Sequence, residues 1–540
     1  MSFNATCLQC QSSFTCFSRV TEEEVSRLIM ESPSKSCQLD PIPTWLFKAC
    51  LDDLLTPITC IINTSLVTGI FPDSFKLAYI KPILKKPTLD INVLSNYRPI
   101  ANLMFMSKIL EKIVAAQLKV YLQESNLFSP LQSAYRSFHS TETALLRVNN
   151  DLLLALDSGN EAVLILLDYS AAFDTIDHSI LFNRLKTRYG IGGMALKWIM
   201  SYMSNRKQSV IVREDFSEPL SLPWGVPQGS VMGPLAYILY TGPLSDIINA
   251  YSDVNHMIYA DDTQIYVTLK SSYQDSITKL EACISDIRSW AMSNKLMLNE
   301  SKTEIIHLHS KFRTSPNFPT IRIGDVEVSS SVSARDLGAI IDTNLQLHAH
   351  IKNICKSANY GIYKIGRIRK YLDQKTTERL VHAFVTSRID YGNSLLYGLP
   401  SSVIQPLQKV QNSAARVITR SKRSDHISNQ LRNLHWLPVN KRIIFKILLM
   451  TFKIYYGLAP DYLIDLISPY SCTSNSSLRS QNRKLLNPGP RTKTKFYGER
   501  AFSVASPKLW NALPLDIRLS PSINSFKSKL KTYLFENCFT

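Results

Sequence analysis

The feature that most restricts this chain is the stretch MIYADDTQIYV, Met257 to Val267. Its alternating apolar residues read as a half-buried β-hairpin. Yet the expected turn carries two adjacent carboxylates, Asp261 and Asp262. Like charges repel, and a charge taken out of water is costly unless something compensates it. A solvated Asp pair in a turn is the plain alternative. A third carboxylate narrows the choice, because Asp168 closes the short apolar strand of EAVLILLDYSAAFD. If that strand neighbours the hairpin, three carboxylates meet at one sheet edge. Such a group needs a cation, and oxygen-only ligation suits Mg²⁺. Two such ions about 3.5–4 Å apart clamp the attacking and leaving oxygens of an in-line phosphoryl displacement.

Charge placement points the same way. The net charge is +18 over 540 residues. Residues 351–540 hold 31 Lys and Arg against 9 Asp and Glu, whereas residues 1–350 hold 30 against 34. All the excess positive charge therefore lies in the last third, as a polyanionic partner such as nucleic acid would require. A hydrophobic fraction of 45% and a charged fraction of 19% describe a core-forming protein rather than a disordered one. No run of about 18 apolar residues occurs, which argues against a membrane span, and the N-terminus lacks a signal-peptide pattern. Ten cysteines are scattered along the chain. Cys7 and Cys10 form a C-x-x-C without a second pair at zinc spacing, and free thiols are the simpler reading.

The pattern along the chain is mixed. Thr21 and Glu24 form a capping box at the head of a helix. FKLAYIKPILKKP reads as a strand entering a basic turn, and MSKILEKIVAAQLKVYLQE as an amphipathic helix. IRIGDVEV reads as a hairpin with a Gly-Asp turn. Beyond about residue 345 the pattern becomes helical. Asp174 and Asp177 are expected to cap the helix that follows them. RTKTKFYGER, 491–500, interleaves cations with aromatics, as in segments that stack on bases and hold phosphates. Ser471 to Lys495 reads as a polar loop.

Several motifs, in order, resemble the reverse transcriptase of non-LTR retrotransposons, LINE-type elements of the jockey/CR1/L2 kind. YADD, 259–262, is similar to that family's catalytic box, and LLDYSAAFDTIDH to its first catalytic motif. GVPQGSVMGPL, NYRPIANL, LMLNESKTEII and QSAYRSFHSTETALL match further motifs, the last with Ala134-Tyr135 in place of the more usual Gly-Phe. The resemblance implies Asp168, Asp261 and Asp262 as ligands of two Mg²⁺ ions, with Mn²⁺ possible. It implies Lys302 as the proton donor to leaving pyrophosphate. Lys85, Lys86 and Arg98 would contact the triphosphate. Phe173 would exclude the ribonucleotide 2′-hydroxyl, and Gln228 and Gly229 would hold template and sugar. Tyr259 belongs to the substrate side of the YADD box.

The implied fold is α+β, a right-hand polymerase with fingers, palm, helical thumb and a basic, mainly helical C-terminal region. The expected division is an unassigned segment 1–20, a helical extension 21–72, fingers and palm 73–343, thumb 344–423 and basic region 424–540. Lys352, Lys356, Lys364, Arg367, Arg369 and Lys370 would track phosphates from the thumb. The implied activity is RNA-directed DNA synthesis from a primer 3′-hydroxyl, in target-primed reverse transcription. The partners would be template RNA, primer or target DNA and dNTPs, without a membrane. The chain would work as a ribonucleoprotein in nucleus and cytoplasm. Only about 20 residues precede the resemblance, so the sequence reads as a copy without the endonuclease that such elements usually encode. The competing reading is a catalytically silent, nucleic-acid-binding remnant of an element. No C-terminal zinc knuckle is expected, since only Cys472 and Cys538 lie there.

Overall fold

An alternating apolar strand buries itself only against partners of matching register, and the described residues answer this with one five-stranded and one four-stranded sheet beside three two-stranded ones. The computed structural model describes residues 12–170, 172–269, 273–313, 318, 320–470 and 483–539. Cys7, Cys10, Cys472 and the first part of the polar stretch after Ser471 lie outside these. The α+β class expected from the sequence is what the chain forms, in two compact units.

The first unit comprises Met1–Tyr135, Tyr169–Ile247 and Asp286–Asn299. Thr21 caps the helix Glu22–Glu31 in a full capping box with Glu24, as the sequence indicates. The basic strand Leu77–Leu84 pairs antiparallel with Tyr97–Asn102 and parallel with Lys207–Val212. Helices back this sheet, and Phe71, Trp198 and Tyr202 interlock at their centre with ring centroids 5.0–5.6 Å apart.

The segment that follows GVPQGS is fixed from below. Glu111, fully buried, accepts the backbone N–H of Val231 at 2.7 Å and of Met232 at 3.2 Å, and the Ser107 hydroxyl at 2.9 Å. A helix start leaves N–H groups without intrahelical partners, and here one carboxylate satisfies two of them at the head of the helix Met232–Tyr240.

The second unit comprises Arg136–Asp168, Ile248–Ser285 and Glu300–Thr540. Its antiparallel sheet has the order Glu304–Leu308, Glu161–Leu167, Asp262–Leu269, Val254–Tyr259. Val163, Leu164 and Ile165 are fully buried, as a near-continuous apolar run demands of a central strand. The expected Gly-Asp hairpin pairs Ile321–Ile323 with Val326–Val328, and a further hairpin pairs Ser333–Asp336 with Ala339–Asp342. Past residue 345 the unit is helical, with His348–Ile368, Ser401–Thr419, Val439–Tyr455, Phe502–Asn511 and Ile523–Phe539 as its longest members. Among the described residues no helix is long and apolar enough to cross a membrane.

Two basic segments are used differently from the sequence expectation. In 491–500, Tyr497 and Arg500 are buried. Arg500 donates to the carbonyl of Leu345 at 2.7 Å, and loss of water lowers its guanidinium to about 10. Thr494 and Lys493 donate three hydrogen bonds to Asp157 on the helix Thr141–Ser158. The Phe496 ring takes the Lys311 ammonium at 3.7 Å. The segment is thus strapped to its own unit, because its aromatics and cations find closer partners there than a nucleic acid. Arg369 likewise spends its guanidinium on the carbonyls of Val417, Ile418 and Leu372, closing the end of the helix Ser401–Thr419.

Glu111→Ala is expected to lower unfolding free energy by about 1–3 kcal/mol, the cost of leaving buried donors without an acceptor. Urea denaturation of the two proteins checks this, and an unchanged midpoint would count against the anchoring role.

Candidate active site

Antiparallel register builds the acidic edge of the second unit. Leu167 faces Thr263 across one ladder and Leu166 faces Glu304 across the other. One step beyond the first pair and two beyond the second, Asp168 stands between Asp262 on one side and Lys302 on the other. The Lys302 ammonium meets Asp168 Oδ2 at 3.1 Å. The turn itself is Ala260-Asp261, since Tyr259 already pairs with Asp262. Asp262 therefore opens a strand rather than sharing the turn with Asp261 as the sequence suggested. Ala260 holds φ 57, a left-handed conformation uncommon outside glycine. Backbone strain of this kind gathers at functional sites.

Lys302 offsets part of the negative charge of this edge. Protein packed around Asp262 strips water from it, and the charges of Asp261 and Asp168 add to this, pushing its carboxyl up to about 6. Tyr259 is half-buried, and its phenol is raised by loss of water and then by Tyr391.

Behind Asp262 lies a cavity of about 200 Å³ lined also by Thr263, Gln264 and Asp336. Asp336 is buried, and burial followed by the Asp262 charge pushes its carboxyl up to about 8. Asp336 Oδ2, Thr263 Oγ1 and both amide atoms of Gln264 have no hydrogen-bond partner. Sequence reasoning missed Asp336. The only available signal was an inward position in a short alternating strand, SARD, where a carboxylate is out of place.

In the first unit a second constellation forms. The GVPQGS loop is pinned from two sides. Gly225 and Val226 donate to the carbonyls of Ile176 and Phe173, while Ala101 donates to the carbonyl of Gln228 at 2.7 Å. A side chain on Gly225 would sit 2.6 Å from the Asp174 carbonyl, and one on Gly229, at φ 111, 2.9 Å from the Ala101 carbonyl. Only glycine permits these approaches. The Gln228 amide donates to both oxygens of Asp174, at 2.9 and 2.8 Å. Asp174 is therefore an anchor for Gln228 and does not cap a helix. Asp177 does cap one, accepting from Ile180 at 3.0 Å. Phe173, half-buried, stacks on Tyr237 with centroids 4.5 Å apart. Arg98 is exposed on the strand Tyr97–Asn102, opposite Ile83. Lys85 and Lys86 are exposed where the partner strand ends, and Lys85 donates to the Ser95 carbonyl.

A divalent cation fits the acidic edge by the chemistry of its donors, which are carboxylate oxygens carrying more negative charge than their neighbours relieve. The fit is one of charge and ligand type. Among the described residues no three His, Cys, Asp or Glu side chains already stand together as a finished cage, and Lys302 provides part of the compensation.

With this geometry in view, residues 83–341 match the family described as reverse transcriptase (RNA-dependent DNA polymerase). The stretch similar to that family makes up just under half of the 540 residues. The chain is 28% identical over 406 residues to the "Probable RNA-directed DNA polymerase from transposon X-element" of Drosophila melanogaster, covering 73% of this chain and 43% of that protein. It is 27% identical to the "RNA-directed DNA polymerase from mobile element jockey" of Drosophila funebris, covering 64% and 38%. The chain thus spans less than half the length of these relatives. Among solved structures, apo telomerase from Candida tropicalis superposes with a TM-score of 0.37 at 12% identity, covering 71% of this chain and 70% of that one.

The raised carboxyl of Asp336 sets a pH dependence. A folded-state value near 8 exceeds the ordinary 3.8, so the native state binds the extra proton. Its stabilising contribution is complete below about pH 4 and is lost as pH rises through 8. Asp336→Asn, which needs no proton, should gain stability over the parent as pH climbs from 4 to 8 in chelator-containing buffer. Parallel melting curves across that range would refute this.

Proposed function

We propose that the chain is an RNA-directed DNA polymerase that extends a primer 3′-hydroxyl with dNTPs on an RNA template, as in target-primed reverse transcription. The observation that carries the reading is the register that sets Asp168 between Asp262 and Lys302. Asp168, Asp261 and Asp262 would hold two Mg²⁺ ions, or Mn²⁺. When bound, such ions supply the positive charge that stabilises the attacking and leaving oxygens of phosphoryl transfer. The protein's own part is mainly positioning and electrostatics. Lys302, held at the acidic edge, suits delivery of a proton to departing pyrophosphate. Arg98 offers a planar fork for two hydrogen bonds to a phosphate, with Lys85 and Lys86 beside its strand pair.

Gln228, fixed through Asp174, and Gly229, which brings backbone close, suit contact with template and sugar. Phe173, braced on Tyr237, suits a wall against a 2′-hydroxyl. Residues 73–343 would then be fingers and palm, 344–423 the thumb and 424–540 the basic region. The helix His348–Ile368 presents exposed Lys352, Lys356, Lys364 and Arg367 beside exposed Tyr360 and Tyr363, a surface suited to backbone tracking and stacking. The chain would act in a ribonucleoprotein of nucleus and cytoplasm.

Purified protein given an RNA template, a DNA primer, dNTPs and Mg²⁺ should extend the primer. Asp261→Asn with Asp262→Asn should reduce extension to background while salt-sensitive RNA binding persists. Extension that survives the double substitution would sink the polymerase reading. Binding without extension in the parent would favour the silent remnant. Phe173→Ala should raise incorporation of ribonucleotides relative to deoxynucleotides by roughly 10–200-fold, the range a steric pocket wall commands. An unchanged ratio would remove Phe173 from that role.

A further inference from the structure

The helical half of the second unit contains another concave site, remote in sequence from every motif above. Its cavity measures about 420 Å³ and is lined by four rings, those of His382, His435, Trp436 and Phe445. The Trp436 and His382 centroids lie 5.5 Å apart. His382 opens a π-helical turn, His382–Thr386, a widening frequent at functional sites. His435 is held at φ 52, left-handed and exposed, just past the helix Ile427–Asn433.

The polar groups of this cavity are divided. Asp390 is clamped by Arg442, and Glu378 faces His382 at 3.5 Å, so both acids on the wall are matched. Asn393 is not. It is 2% exposed and borders the cavity, and its side-chain carbonyl oxygen has no donor. A buried acceptor in that state calls for an N–H or O–H from an occupant.

Cations crowd the same region. Lys446 lines the wall and is paired with Glu142, and exposed Lys531 lines it from the C-terminal helix. Lys453, two turns from Lys446 along the same helix, has its ammonium lowered by loss of water and then by the charges of Lys527 and Lys446. Like charges gathered in this way attract an anion.

We propose that this cavity receives one unpaired nucleotide of a single nucleic-acid strand. The base would enter among Trp436, Phe445 and the two histidines, present an amino or imino hydrogen to Asn393, and leave its phosphates to Lys531 and the neighbouring lysines. Base–aromatic stacking tolerates any base, so the directed contact to Asn393 is where base preference arises. The volume lies within the range of nucleotide-sized ligand pockets. The site is separate from the acidic edge, and its occupancy does not require that the edge be catalytic.

The test is photo-crosslinking of the full chain to short thiopyrimidine-substituted single strands, RNA in one arm and DNA in the other, followed by peptide mapping. Crosslinks to the segment 434–446 are expected in at least one arm, and the arms identify the sugar preferred. His382→Ala with His435→Ala, both exposed, should cut the yield at that segment roughly tenfold, the scale of losing stacking partners, with an unchanged melting temperature showing that the double variant is folded. Lys531→Ala should lower it as well. An abasic residue at the crosslink-adjacent position should reproduce the loss in the parent and add nothing in the double variant. Primer extension on a preformed RNA–DNA duplex should be unchanged in these variants. Crosslinks confined to other segments, or yields indifferent to the abasic residue, would overturn the proposal.

Discussion

The structure depends on the pairing of one strand, Glu161–Leu167, with both of its neighbours. Its apolar side chains leave it no stable place except the centre of a sheet, and its register there determines what lies at the end. Leu167 opposite Thr263 puts Asp168 beside Asp262, and Leu166 opposite Glu304 puts it beside Lys302. A slip of one residue would exchange the two faces of the strand and move Asp168 away from both Asp262 and Lys302. The hydrophobic effect over this strand thus fixes a charge constellation that on its own would fly apart. Burial supplies the precision, and the carboxylates are carried along by it.

This explains which parts of the site could be read from the chain alone. Asp168 and the Asp261-Asp262 pair were legible because each ends an apolar run, and such ends gather at sheet edges. The GVPQGS glycines read as places where backbone comes close to a nucleic-acid strand, and the structure shows a close approach within the chain itself, Gly229 against Ala101. What could not be read was pairing across long sequence distances. Lys302 is 134 residues from Asp168, and no local pattern announces that ladder. Asp174 looked like a capping residue because its neighbour Asp177 is one. Only the fold of the loop 54 residues away gives it Gln228 as its partner. Asp336 was hidden for a related reason, because a four-residue strand is too short for its one inward acid to stand out.

The charge asymmetry carries a similar lesson about context. The last third of the chain is strongly basic, yet its cations are not equivalent. Arg369 and Arg500 are helix-end and core donors whose hydrogen bonds run to backbone carbonyls. Guanidinium suits this work because its planar fork reaches several carbonyls at once. The lysines of His348–Ile368 remain on the surface, where the ammonium keeps its water and can exchange it for phosphate. Net charge therefore overstates the footprint available to a polyanion, since cations such as Arg369 and Arg500 are spent on the chain's own carbonyls.

The acidic edge and the cavity behind it raise a further point about stored cost. Ala260 in a left-handed turn, Asp262 with a raised carboxyl, and Asp336 buried with an oxygen unpartnered all lie within one hairpin and its neighbour. None of these stabilises the fold. A chain selected only for stability would place glycine at 260 and an apolar residue at 336, since replacing an unpaired buried polar group by a well-packed apolar one removes a desolvation penalty. The strain is tolerable because the sheet around it is among the most deeply buried parts of the second unit, and rigid burial can hold a local arrangement that would otherwise relax. Unfavourable terms of three kinds thus collect beside a single pair of carboxylates.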